Sequence, residues 1–130
     1  MRRHRYLAAA LAALVMVEAG PASARIEKPL VKIGILNDMS GPYADLGGPG
    51  SVAAARLAVE DEGEAVNGVP VEILSADHQN KADVGSAIAR RWIDQDGVDV
   101  IADVPVSSVA LAVQEIGRQA KRLTLMQGTS

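Results

Sequence analysis

The sequence predicts an α/β fold in which a parallel β-sheet lies between helices on both of its faces, so that the domain has three layers. The first observation is a regular alternation, because short apolar runs rich in Val and Ile are followed by amphipathic segments of 12 to 16 residues. The second is that polar residues rarely interrupt these runs, as expected for strands buried on both faces of a parallel sheet. Helices that connect parallel strands by right-handed crossovers cover those faces.

Each element carries local signals. Asn67 and Gly68 are a turn signal directly before the second strand, and Pro70 suits the beginning of a strand because it cannot donate to the sheet. Asn80 is the expected N-cap of the second helix, and Gly97 is its expected end. We therefore expect strands at 30–36, 69–75, 98–103 and 122–126, and helices at 51–63, 82–97 and 107–121.

The second and third helices have apolar residues every three or four positions, which is the spacing of a buried helix face. These residues are Val84, Ile88 and Trp92 in the second helix, and Val109, Val113, Ile116 and Ala120 in the third. The sequence contains no phenylalanine. We therefore expect a core built from Val, Ile, Leu and Ala.

The first 24 residues have the pattern of a secretory signal peptide. Arg2, Arg3 and Arg5 precede a short apolar run at 6–17, and Ala-Ser-Ala at 22–24 is a small-x-small cleavage motif. The apolar run is shorter than the roughly 20 residues that a helix needs to cross a bilayer. We therefore expect cleavage after residue 24, an exported protein comprising residues 25–130, and no membrane insertion after cleavage.

Charge and cysteine content exclude several classes of function. Residues 25–130 carry 10 basic and 15 acidic side chains, a net charge of −5, which argues against nucleic acid or an anionic membrane surface as partner. The chain has no cysteine, so disulfides, cysteine-based metal sites and cysteine nucleophiles are excluded. We expect no metal, no cofactor and no catalytic residues.

Candidate binding residues lie in the loops that follow the strands, because open α/β sheets bind ligands at the carboxyl ends of their strands. The segment 106–108, Val-Ser-Ser, places two hydroxyls at the start of a helix, where these hydroxyls and the N–H groups can donate hydrogen bonds to a carboxylate or other anion. The simpler interpretation is that one serine is the helix N-cap. The segment 128–130, Gly-Thr-Ser, follows the next strand. The two hydroxyl-rich loops are therefore expected to face one crevice.

A nucleotide site is the main alternative, and it implies a small nucleotide-binding α/β enzyme domain. Residues 48–53, Gly-Pro-Gly-Ser-Val-Ala, match a G-x-G-x-x-A fingerprint, and Asp77 follows the second strand where a ribose-binding acid would lie. However, Gly48 is 12 residues beyond Leu36, too far for the tight turn of that motif. Asp77 also comes 29 positions after Gly48, instead of about 20. The spacing therefore disfavours a nucleotide.

Two further interpretations involve acidic residues. Asp38 and Asp103 follow the first and third strands, where receiver domains hold a phosphoacceptor site, although receiver domains are cytoplasmic and this chain carries an export signal. His78, beside Asp77, could be half of a metal site. Two adjacent ligand types do not make a site, so we expect His78 to be a surface loop residue.

Five segments resemble a known family when they are taken in order. VKIGILNDMSGPYADLG, AARLAVEDE, NGVPVEIL, DHQNKADVGSAIARRWIDQDGVDVI and LTLMQGTS are similar to the first part of solute-binding proteins of the branched-chain amino-acid (leucine/isoleucine/valine-binding) type, the extracytoplasmic receptors of ABC importers. The resemblance implies a type I periplasmic-binding fold whose two lobes close on a small solute, with residues 25–130 as an incomplete first lobe. It also implies a non-enzymatic protein that passes amino acids or related carboxylate or amide solutes to a membrane permease.

The resemblance also implies which residues contact the solute. By position they are Tyr43, Leu46, Gly47, Val106, Ser107, Ser108, Thr129 and Ser130, whose hydroxyls and N–H groups would hold a carboxylate. Leu46 stands where amino-acid-binding members often carry an aromatic residue, and the segment 103–108 lacks the glycine common in that subgroup. The choice among amino acids, amides, urea and aromatic acids therefore stays open.

Overall fold

The computed structural model describes residues 27–128. The strands are β1 (Val31–Asn37), β2 (Ala65–Val66), β3 (Val69–Asp77), β4 (Val100–Ala102) and β5 (Leu123–Leu125), and the helices are α1 (Gly48–Asp61), α2 (Ala82–Arg91) and α3 (Ser107–Ala120). A π-helical segment, Trp92–Asp96, directly follows α2. The expected signal peptide, residues 1–24, and the predicted ligand residues Thr129 and Ser130 lie outside the described part of the chain.

The strands form one sheet in the order β2-β3-β1-β4-β5. The four longer strands run parallel, and the register places Ile33 of β1 between Ile73 of β3 and Val100 of β4. The predicted α/β fold, with a parallel sheet and helices on both faces, is confirmed. The chain passes from β1 outward to β3 and then back across β1 to β4, so the direction of its progress reverses between β1 and β4.

The sequence does not predict the short strand β2. It pairs antiparallel with the start of β3, so that Val66 lies opposite Val69. The predicted turn joins the two strands, and Asn67 and Gly68 both have positive φ, 50° and 80°, as a two-residue hairpin turn requires. Two paired residues are too few to produce a recognisable alternation in the sequence.

The sheet face covered by α2 and α3, the α2/α3 face, holds most of the buried core. Its buried residues are Leu36, Ala89, Trp92, Val98, Ile101, Val104, Val109, Ala110, Val113 and Ile116. Contacts are so close that two glycines are required. A Cβ added at Gly34 would lie 2.4 Å from Cζ3 of Trp92, and one added at Gly85 would lie 2.4 Å from Cγ1 of Val109. This layer has no room for a further methyl group at these two points.

The opposite face, the α1 face, is covered more loosely. Its buried residues are Ile35, Val52 and Ala102. An apolar groove of about 440 Å³ runs between α1 and the sheet, bordered by Ala54, Ala55 and Ala58 on the helix and by Ile33, Val71 and Ile73 on the strands. Since alanine side chains are short, α1 leaves space above the sheet.

The helix boundaries differ from the predicted ones. α1 begins at Gly48, before the predicted start at Ser51, because Pro49 fits the first turn of a helix. The prediction that Asn80 caps α2 is wrong: Lys81 is the N-cap, and Asn80 has a left-handed backbone with φ 54° that turns the chain before it. α2 ends at Arg91 and not at Gly97 as predicted; Gly97, with φ 69°, instead ends the π-helical segment that follows α2.

Candidate functional site

A polar cleft of about 580 Å³ lies at the carboxyl edge of the sheet. Its walls come from the loops after β1, β4 and β5 and from the first turns of α1 and α3. This is the point where the chain reverses direction between β1 and β4, and open α/β sheets bind ligands at such points. The lining residues are Tyr43, Leu46, Gly47, Ser51, Asp103, Pro105, Val106, Ser107, Gln127 and Gly128.

Most of the predicted ligand residues meet in this cleft. Tyr43, Leu46 and Gly47 form one wall, from the loop after β1. Val106 and Ser107 form a second wall, from the loop after β4 and the start of α3. Leu46 is 82% exposed, so its side chain is available for contact. Ser108 is exposed and does not line the cleft. The sequence analysis did not assign Ser51 and Gln127, which also border the cleft, to the ligand site.

The serines at the start of α3 do not cap it. Val106 is the N-cap residue, with an extended backbone, and Ser107 and Ser108 are the first two residues of the helix. The simpler interpretation of this segment, a serine N-cap, is therefore wrong. The first turn of a helix presents N–H groups without partners in the helix, at the positive end of its dipole. This turn and the side chain of Ser107 face the cleft.

The loop that carries Tyr43 is held by Asp38, whose side chain is fully buried. Its carboxylate accepts hydrogen bonds from the backbone N–H groups of Gly41, at 2.8 Å, and Tyr43, at 3.0 Å. A Cβ added at Gly41 would lie 2.5 Å from the carboxylate oxygens, so the chain must have glycine there. Asp38 thus positions the Tyr43 wall and is not available as a phosphoacceptor.

Asp77, at the end of β3, ties the same loop to the sheet. It accepts hydrogen bonds from the N–H groups of Met39 and Gln79, at 3.0 and 2.7 Å, and from the hydroxyl of Ser40, at 2.5 Å. Burial by itself would raise the pKa of this carboxyl, but the hydrogen bonds outweigh burial and lower the pKa below its ordinary value. Asp77 is therefore a structural carboxylate, which removes the ribose-binding role that a nucleotide site requires.

Asn37 links the ends of β1 and β4. Its fully buried amide donates from Nδ2 to Oδ2 of Asp103 at 2.5 Å, and its Oδ1 accepts from the N–H of Asp38 at 2.7 Å. Asp103 is also anchored through its own N–H, which donates to the carbonyl of Leu125 at 3.0 Å. The carboxylate of Asp103 is thus held at the boundary of the cleft. Among the lining residues that the structure describes, it is the one Asp, Glu, Lys, Arg or His side chain.

Glycine is required where the first loop reaches Asn37. A Cβ added at Gly47 would lie 2.8 Å from Nδ2 of Asn37 and 3.1 Å from Oγ of Ser51. The glycines of this loop therefore serve close packing of the backbone against the strand ends. The dinucleotide fingerprint at 48–53 falls in the first turn of α1 and has no acidic partner in Asp77.

His78 is fully buried, so the expectation of a surface loop residue is wrong. Its Nδ1 accepts a hydrogen bond from the backbone N–H of Asn80 at 3.0 Å, and the backbone N–H of His78 donates to the carbonyl of Asn37 at 2.9 Å. Its Nε2 is buried without a hydrogen-bond partner. Burial lowers the pKa of the imidazole more than the nearby carboxylates of Asp38, Asp77 and Asp103 raise it.

Between residues 27 and 128, no group of three or more His, Cys, Asp or Glu side chains is placed to hold a metal ion. Over the same residues, no helix combines the length and the apolar character needed to cross a membrane.

Comparison with known proteins gives one family and several solved structures. The family model described as periplasmic binding protein matches residues 30–130. A periplasmic binding protein from Burkholderia mallei is 41% identical, with a TM-score of 0.75, over 78% of this chain and 27% of its own. A branched chain amino acid ABC transporter periplasmic ligand-binding protein from Burkholderia xenovorans LB400 is 50% identical, with a TM-score of 0.71, over 74% of this chain and 26% of its own.

A third similar structure shows a bound solute. It is a solute binding protein of an ABC transporter from Rhodopseudomonas palustris BisB5 in complex with 3,4-dihydroxybenzoic acid, 26% identical with a TM-score of 0.70, over 76% of this chain and 27% of its own. This chain thus spans about a quarter of the length of the structures it matches. No match was found among the curated proteins. Neither the family match nor these structures support the nucleotide-binding alternative.

Proposed function

The chain belongs to the periplasmic binding protein family, and from this premise we propose that it supplies part of the first lobe of an extracytoplasmic solute receptor of an ABC importer. The observation that carries this proposal is the cleft itself. Tyr43, Leu46, Gly47, Val106 and Ser107 come from two loops far apart in sequence, and the fold places all of them around one space of about 580 Å³.

Each wall of the cleft has its own role in binding. The N–H groups in the first turn of α3 and the hydroxyl of Ser107 hold a carboxylate or amide oxygen of the solute. Tyr43 and the exposed Leu46 contact its apolar part, and Gly47 allows close approach of the backbone. Ser108 contributes through its backbone N–H, since its side chain is exposed outside the cleft. Thr129 and Ser130 add hydroxyl groups from the loop after β5.

The proposed role is reversible binding, not catalysis. Among residues 27–128, the hydroxyls that line the cleft belong to Tyr43, Ser51 and Ser107, and no histidine or lysine of that range lines it that could activate a serine as a nucleophile. His78 is buried, away from the lining residues. A second lobe closes over the solute, and the closed receptor delivers it to a membrane permease.

The proposed solutes are amino acids or related small carboxylates and amides. One similar structure is described as a branched chain amino acid ABC transporter protein, and another contains 3,4-dihydroxybenzoic acid. Both kinds of compound have a carboxylate next to an apolar body, which is what the two walls of the cleft accommodate. The chain needs no cofactor and no nucleic acid for this role.

The proposed location is the periplasm. The arginine-rich start, the apolar run at 6–17 and the Ala-Ser-Ala motif support export with cleavage after residue 24. The net charge of −5 on residues 25–130 is consistent with a protein that does not adhere to anionic membranes. Mass spectrometry of the protein from a periplasmic extract tests this, because an uncleaved N-terminus would contradict it.

Solute binding is tested with the full-length protein. A thermal-shift screen against amino acids, amides and aromatic acids should give a rise in melting temperature with at least one class. If the Ser107 hydroxyl donates a hydrogen bond to the identified solute, Ser107→Ala should make the binding free energy measured by calorimetry less favourable by about 1 kcal/mol or more.

The matched control is Ser86→Ala. The Ser86 hydroxyl donates to the carbonyl of Ala82 within α2, outside the cleft, so its loss should leave solute affinity unchanged. A screen in which no compound raises the melting temperature would contradict the proposed function. An equal effect of the two serine substitutions would remove Ser107 from the site.

A further inference from the structure

We propose that Asp103 determines the solute specificity of the cleft: it selects solutes that carry an ammonium group beside their carboxylate and rejects carboxylates that lack one. This inference rests on the proposed function, because it concerns the same cleft. It adds a residue that the resemblance did not indicate, and it chooses between the amino acids and the aromatic acids that the sequence leaves open.

The position of the Asp103 carboxylate is fixed before any solute binds. Its Oδ2 accepts a hydrogen bond from Nδ2 of Asn37 at 2.5 Å, and Asn37 is fully buried and held in turn by the N–H of Asp38. The backbone of Asp103 is anchored to Leu125 and has a left-handed conformation with φ 58°. A residue that lies half-buried at the cleft and is held from both sides cannot easily swing out toward solvent.

The charge of this carboxylate is not balanced within the cleft. The amide of Asn37 is neutral, and the other lining residues between 27 and 128 include no Asp, Glu, Lys, Arg or His. A solute that is only an anion therefore brings a second negative charge close to the first, which is unfavourable where water is partly excluded. A solute with an ammonium group replaces that repulsion by a charge-assisted hydrogen bond.

The two groups that recognise the solute lie in one short loop. The loop connects β4 to α3. Asp103 is its first residue, directly after β4, and Ser107 is the first residue of α3. The loop therefore presents an acceptor and a set of donors within four residues of each other. A solute whose ammonium and carboxylate groups are attached to the same carbon atom, as in an α-amino acid, complements both at once.

The test compares matched pairs of solutes on the full-length protein by calorimetry. One pair is leucine and 4-methylpentanoate, and the other is phenylalanine and 3-phenylpropanoate; each pair differs only in the ammonium group. Wild-type protein should bind the amino acid of at least one pair ten-fold or more tightly than its partner. Asp103→Asn, which keeps an acceptor for Asn37, should reduce this ratio at least five-fold.

The control is Asp94→Asn, which removes one negative charge from an exposed position in the π-helical segment, away from the cleft. It should leave both ratios unchanged. If the wild type binds 4-hydroxybenzoate or the ammonium-free carboxylates as tightly as the amino acids, or if Asp103→Asn leaves the ratio unchanged, the inference is overturned while the proposed function stands. If none of these solutes binds, the inference is overturned, and the thermal-shift screen against amino acids, amides and aromatic acids decides the proposed function.

Discussion

The two faces of the sheet are built on different principles, although the same strands supply both. On the α2/α3 face, glycines face large side chains at van der Waals contact, as Gly34 faces Trp92 and Gly85 faces Val109. On the α1 face, the alanines of α1 leave an apolar groove of about 440 Å³. The side chains of the α2/α3 face are therefore closely packed, whereas those of the α1 face leave space between the helix and the sheet.

This difference shows where stability and adaptability reside in the fold. Interiors packed to the density of crystals respond to the loss or gain of a single methyl group. On a face with an open groove, the side chains that line the groove make fewer contacts, so the same change alters fewer contacts and costs less stability. We therefore expect equal substitutions on the two faces to have unequal, and in one case opposite, effects.

The largest expected effect is that of Trp92→Ala. Trp92 is fully buried against Gly34, and its loss should lower the free energy of unfolding by about 3–5 kcal/mol. The faces are compared by one equal change, Val→Ala: Val52→Ala on the loosely covered α1 face should cost about 1 kcal/mol, less than Val113→Ala on the α2/α3 face, where Val113 is fully buried. Urea unfolding of the full-length protein, followed by circular dichroism, measures all three. Equal losses of stability on the two faces would contradict the proposed difference in their packing.

The next effect should change sign between the faces. Ala89 is fully buried on the α2/α3 face, and Ala89→Leu should cost about 1–3 kcal/mol by overpacking. Ala55 borders the open groove, so Ala55→Leu should add up to about 1 kcal/mol of stability by burying apolar surface there. Thermal unfolding of the two variants measures the difference. A loss of stability for Ala55→Leu would mean that the groove is filled in the full-length protein.

The smallest effect is expected from pH, and it acts through His78 beside Gly85 on the α2/α3 face. Burial lowers the pKa of His78 below its ordinary value of 6.5, so the unfolded chain binds the proton more readily than the folded one. His78 therefore favours the folded state fully above pH 6.5, and this stability is lost as the pH falls from 6.5 toward the lowered pKa.

His78→Asn provides the control, since its Oδ1 can still accept from Asn80 but does not titrate. Melting temperatures of the wild type should fall between pH 7.5 and 5.5 more steeply than those of His78→Asn. His78 is the one histidine of residues 25–130, so no other imidazole there contributes. Parallel slopes for the two proteins would show that the buried imidazole is not responsible.

The layers of the fold could be predicted because they depend on apolar periodicity. The strand runs and the faces of the second and third helices follow directly from the spacing of residues such as Trp92 and Val113. The π-helical segment and the strand β2 could not be predicted, because each involves few residues and produces no repeat in the sequence. Asn80 was expected at a cap since its chemistry suits one, but the buried imidazole of His78 recruits its N–H to a turn.

The candidate site was predictable only in part. Tyr43, Leu46, Gly47, Val106 and Ser107 follow from the resemblance together with the rule that loops at strand ends converge. The partners of Asp38, Asp77 and Asn37 depend on which loop meets which strand end in three dimensions. The sequence shows these side chains as polar residues at strand ends, and it does not reveal that they accept hydrogen bonds from the loop backbone or, for Asn37, donate to Asp103.

The loop between β1 and α1 has a consequence for the kinetics and energetics of binding. Four hydrogen bonds from backbone and hydroxyl groups of the loop to Asp38 and Asp77 fix the loop in the unliganded fold. Its conformational entropy is therefore lost on folding and not when a solute arrives. If the chain binds a solute as proposed, this wall retains more of its contact energy as affinity, and the encounter rate does not wait for a loop to become ordered.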